Sequence, residues 1–200
     1  MTICHVIHGI HSGTPSAIQP LIPYLRTAGF DCRYPDYGYV LGIETKLGNP
    51  MIVGSIFPYV GPDDILIGHS NGCAIAYDIL QRGAKVTGAV FINAALEQDF
   101  KPLAPWTDVY YNSGDDITEA AKIAATIGYS DPIWGECGHA GYLGKDPSIT
   151  NINCGATPGL PVVSGHSDFF TPSKLAAWAP YLIDRIHAHA AKKLHAEAYA

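Results

Sequence analysis

The chain has 200 residues, a formal net charge of -6, and 48% hydrophobic against 15% charged residues. That length suits one domain over residues 1–200, and the composition excludes a disordered or fibrous chain. The acidic balance offers no basic stripe to neutralise phosphates, which excludes a nucleic-acid binder, and no apolar stretch approaches the length that spans a bilayer.

Strand and helix signals alternate along the chain, which predicts an α/β fold with a mostly parallel central sheet of about six strands flanked by helices. The first strand is read at 3–7. The first helix is read at 15–28, with Ile18, Leu21, Ile22 and Leu25 at helical spacing and Gly29 as its stop. A short strand at 31–34 precedes an irregular, then helical, stretch at 37–59. The third strand is read at 65–68, a helix at 70–81, the fourth strand at 88–92 and the fifth at 108–112. A helix at 117–127 leads into a hairpin-like excursion at 131–144. The sixth strand at 148–153 follows, and a long helix from 173 is expected to kink or restart at Pro180.

Between the third strand and its helix lies Gly68-His69-Ser70-Asn71-Gly72. G-x-S-x-G alone is common by chance, but here an apolar strand precedes it and an amphipathic helix follows, the context that makes it a nucleophile elbow. The turn lifts Ser70 out of the sheet, and the helix N-terminus aims its amides where an oxyanion would form.

A serine hydroxyl needs a base, and His166, in the loop after the last strand, is the candidate. The carboxylate that orients such an imidazole should follow an intermediate strand, where Asp115 and Asp116 both stand. Asp115 is preferred as the acid, and Asp116 as a helix cap or first-turn residue. Two amides should hold the oxyanion. One is that of Asn71, after the nucleophile; the other comes from His8-Gly9-Ile10-His11, with Ile10 favoured over His11.

In the order Ser70, Asp115, His166, with His8-Gly9 after the first strand, the chain resembles the α/β-hydrolase superfamily over nearly its whole length. The resemblance implies a serine hydrolase that cleaves an ester-type bond of a small molecule through an acyl-enzyme, without a cofactor. Thioesterase or amidase activity on the same triad is the alternative, and a non-catalytic binding protein on the same scaffold is the rival from another class. The family's leading antiparallel strands have no counterpart, and 93–107 is too short for a lid. A minimal, open-site esterase for short acyl chains is therefore expected.

Other signals are discounted. His5, His8 and His11 could suggest a metal, but strand residues three apart face opposite ways, so no metal site is expected. His187, His189 and His195 read as a solvated helix face. His139 and Glu136 in the excursion could border a pocket, and Asp168 could orient its own loop. The five cysteines form no C-x-x-C pair and read as buried thiols. No basic segment followed by an apolar signal region precedes the first strand, which predicts a cytoplasmic protein. Nothing in the sequence sets the oligomeric state.

Overall fold

The computed structural model describes residues 2–10, 15–38, 45–126, 128, 129 and 131–198, with 193–198 as backbone. Six strands form one sheet: β1 (Ile3–Ile7), β2 (Asp31–Arg33), β3 (Ile65–His69), β4 (Gly88–Ile92), β5 (Thr107–Tyr111) and β6 (Ile149–Asn153). Their order is β2-β1-β3-β4-β5-β6, and every neighbouring pair is parallel. Such a sheet must be covered on both faces, and the central strands read accordingly as unbroken apolar runs.

Alternation along each strand divides the core in two. Leu66, Ala89 and Phe91 face a layer made by α2 (Thr45–Ile56) and α3 (Asn71–Gln81), which contributes Ile52, Val53, Ile75 and Ile79. Ile65, Ile67, Val90 and Ile92 face α1 (Ile22–Thr27) and α6 (Pro172–Ala198), where Leu175, Trp178, Leu182 and Ile186 form the inward stripe. Trp178 is fully buried, and its truncation to alanine should cost about 3–5 kcal/mol. Two further helices, α4 (Asp116–Thr126) and the short α5 (Cys137–Ala140), lie on the α2 and α3 side; Ala121 and Cys137 join that core.

Several elements depart from expectation. The first helix begins later, because 19–21 is a 3-10 turn with Pro20 and the α-helix proper starts only at Ile22. The excursion at 131–144 holds the short helix α5 and no strand, so it is not a hairpin. Helix α6 does not restart at Pro180 but holds that proline inside it, with a buried stripe on both sides. His187 stacks on Phe30 at 5.2 Å, and His189 stacks on Trp106 at 4.2 Å while bonding Asp108 at 3.2 Å. Those two histidines therefore anchor α6 and do not form a merely solvated face; the His195 side chain lies outside the described residues. Arg185 reaches the same buried Asp108 through two bonds of 2.6 and 2.7 Å.

The sheet order positions the site. From β1 the chain goes to β2 on one side and then to β3 on the other, so the connections diverge between β1 and β3. A crevice opens at the carboxyl ends of strands at such a switch point. His8-Gly9 leaves β1 there and Ser70 leaves β3 beside it.

Candidate active site

Ser70 stands between β3 and α3 with φ 58° and ψ -128°, a conformation that L residues avoid. Strain of this kind costs on the order of 1–3 kcal/mol and persists only where the surroundings enforce it. Here the Ser70 N–H donates to Ile92 O at 3.1 Å, and Ser70 O accepts from Cys73 N–H at 3.0 Å and Ala95 N–H at 3.3 Å. The approach of α3 to the end of β1 depends on Gly72, where a Cβ would lie 2.2 Å from Ile7 O. Gly9 abuts the serine itself, since a Cβ there would lie 2.8 Å from Ser70 Cβ. Cys73 is fully buried, and burial holds its thiol well above the ordinary range, so it is a core side chain.

His166 Nδ1 lies 2.8 Å from Asp115 Oδ1; the carboxylate is fully buried and the imidazole 11% exposed. The same Oδ1 accepts the Thr118 N–H at 3.2 Å, so Asp115 also caps α4. Of the two places expected for Asp116 it takes the exposed first-turn one, and the cap is Asp115, which also meets the histidine. A cap side chain must point back across the end of its helix, and the His166 loop passes that end.

Three polar residues that sequence reasoning missed hold this loop. His69 donates from Nε2 to His166 O at 3.0 Å, with the two rings 4.8 Å apart. Burial first, then the neighbouring His166, pushes the His69 pKa down to about 3, which keeps that ring neutral. Asn93, at φ 47°, donates to Gly165 O at 3.3 Å and to His166 O. Asn112 donates to Asn93 Oδ1 at 3.2 Å and accepts the Gly114 N–H at 3.1 Å. A sequence signal existed, because β3 ends on His69 while Asn93 and Asn112 directly follow β4 and β5. Among the described residues no hydrogen bond closes between Ser70 Oγ and His166.

Ser70 opens onto a chamber of about 200 Å³ lined by Ile10, Ala95, Ala121, Ala124 and Trp134. Ile10 is thus a wall of the chamber, and His11 lies outside the described residues. Asn71 opens α3, so its N–H is among the first helical amides, which have no partner within the helix. Its side chain is fully buried and bonded to Asn49 of α2 and to Trp134. No helix or strand lies in 93–106, which gives the chamber Ala95; the other walls come from Ile10, α4 and Trp134 of the excursion.

The discounted residues have other partners. His5 pairs with Asp64 at 2.8 Å. His8 is buried against Tyr37 with rings 3.8 Å apart, its Nδ1 donates to Gly9 O, and burial lowers its pKa. Asp168 accepts the Ser164 N–H at 2.9 Å and pairs with Lys174, fixing its own loop. Glu136 pairs with Lys122. All five cysteines are buried and free. Among the described residues, Asp116, Glu119 and His139 bring possible metal-ligating atoms within 4.8 Å of one another. The helix N-terminus already accounts for the two exposed carboxylates.

No family model matches the chain, and no curated protein sequence does. Solved structures do. The ydeN gene product of B. subtilis is 12% identical, with 96% of this chain and 100% of that one covered at a TM-score of 0.59. A carboxylesterase of Bacillus subtilis is 12% identical, with 94% and 83% covered at 0.55. A protein from Xanthomonas campestris pv. campestris assigned to the hydrolases of the alpha/beta superfamily is 12% identical, with 90% and 97% covered at 0.53. The chain therefore has the α/β-hydrolase fold. Among the described residues no helix is long and apolar enough to cross a membrane.

Proposed function

We propose that the protein is a serine hydrolase that cleaves a carboxylic ester-type bond through an acyl-enzyme. Ser70 is the nucleophile, His166 takes and returns the proton, and Asp115 holds the imidazole in the tautomer that can do so. The N–H groups of Ile10 and Asn71 bind the oxyanion. The observation that carries this reading is the 2.8 Å contact between His166 and buried Asp115, 51 residues apart, next to a serine held at positive φ. A structural cap for α4 would need no histidine.

The chamber beside Ser70 supports a short acyl group, since it is small and its walls are mostly apolar, made by alanines, Ile10, Ile117 and the Trp134 indole. Ser70→Ala should remain folded and lose both fluorophosphonate labelling and turnover of nitrophenyl acetate or butyrate. Probe found on another serine would remove the assignment. A panel of ester, thioester and amide substrates with one common acyl group then decides the bond class, because the triad serves all three.

A further inference from the structure

Asn71 stands at the centre of a closed polar network. Asn49 Nδ2 donates to Asn71 Oδ1 and to Asp131 Oδ2, both at 2.8 Å, and Asn71 Nδ2 returns a bond to Asn49 Oδ1 at 2.9 Å. Trp134 Nε1 donates to the same Asn71 Oδ1 at 2.8 Å, which fills both lone pairs of that oxygen. Asp131 is fixed in turn, its Oδ1 accepting Ile133 N–H at 3.1 Å and its N–H donating to Thr45 Oγ1 at 3.0 Å. Asn49 and Asn71 are at most 1% exposed, and Trp134 and Asp131 at most 9%.

A buried amide pair contributes little net stability over an apolar pair of the same shape, but it fixes direction. Direction matters at this position. Asn71 begins a helix, where the chain frays, and an oxyanion donor must stand within a few tenths of an ångström of its place. The network ties that first residue to α2 and to the 131–136 segment, two elements far from it in sequence. Trp134 has a second role, since its indole is also a wall of the Ser70 chamber.

Resting on the serine-hydrolase reading above, we infer that Asn49 and Trp134 are positioning residues for the Asn71 amide. Through Trp134, the fit of the acyl arm in the chamber then governs turnover. An acyl group seated against the indole leaves the Trp134 to Asn71 bond in place; one too long for the chamber displaces the indole and with it the amide. Chain-length selectivity therefore appears in kcat and is not confined to KM.

The test is Trp134→Phe, which keeps an aromatic wall and removes the N–H donor, measured on nitrophenyl acetate, butyrate and hexanoate. Expected are a kcat for butyrate lowered about tenfold, a KM within about twofold, and a flattened dependence of kcat on chain length. Asn49→Leu, close in volume, should show the same split between kcat and KM, with circular dichroism confirming the fold. An unchanged kcat in Trp134→Phe, or a loss confined to KM, overturns the inference even if Asn49→Leu fails to fold. Ser70→Ala run alongside separates the two levels: if it stays active, the serine-hydrolase reading falls and this inference with it. If it is inactive while Trp134→Phe is unaltered, only the positioning role falls.

Discussion

Two histidine–aspartate pairs in this molecule have the same 2.8 Å separation and little exposure, yet they stand in opposite surroundings. His5 meets Asp64 just before β3, where Asp64 Oδ2 also accepts the Gly61 N–H at 2.8 Å. His166 meets Asp115 past the other end of the strands, beside the residue that leaves β3 at positive φ. About 17 Å of strand separates the two ends of β3. The pairs teach that an imidazole oriented by a carboxylate is common structural material. What gives one of them a chemical use is its place at the carboxyl edge, where loops from separate strands converge and a chamber opens.

Substitution at the two pairs should therefore have unlike consequences. The largest effect is expected from Asp115→Asn, which keeps a side-chain oxygen for the Thr118 N–H but favours the wrong tautomer of His166. Turnover should fall by about 10⁴, the size of the loss when the triad aspartate of a serine protease becomes asparagine, with little change in melting temperature. Asp116→Asn, on an exposed first-turn residue, should leave turnover within about twofold. If the two costs are exchanged, the acid is the other neighbour.

His5→Gln should do the reverse. Disrupting this buried hydrogen-bonded pair should cost about 1–3 kcal/mol of stability, read from urea unfolding, with turnover per folded molecule unchanged. A comparable loss of turnover at His5 would break the distinction between the pairs.

A smaller, pH-dependent effect should come from His69, buried beneath the His166 loop with its pKa lowered from 6.5 to about 3. Between those values the unfolded chain binds a proton at this residue and the folded chain does not. Stability should accordingly fall as pH drops from 6.5 toward 3, and this contribution should vanish above 6.5. His69→Gln should give a shallower acid limb in a plot of urea midpoint against pH. An unchanged limb would show that His69 is not held neutral.

Much of this was legible in the sequence because it is local. Apolar runs of strand length marked β1, β3 and β4, and the setting of Gly68-His69-Ser70-Asn71-Gly72 between strand and helix marked the elbow, since both depend on near neighbours. The sequence also narrowed the partner of His166 to two adjacent aspartates, but spacing treats a helix cap and a histidine partner as rival roles. Only the path of the His166 loop across the start of α4 allows Asp115 to fill both. Asn93 and Asn112 could be read only as residues that directly follow a strand, and Asn49 and Trp134 gave no sign of their bonds to Asn71. Their partners lie on other elements, and an amide or indole becomes directional only when packing removes water and leaves it one hydrogen-bonding geometry. The order of elements and the residue types able to do chemistry can thus be read along the chain. Which of those residues meet depends on how the chain packs, because parallel strands joined by crossovers bring together loops that are dozens of residues apart in sequence.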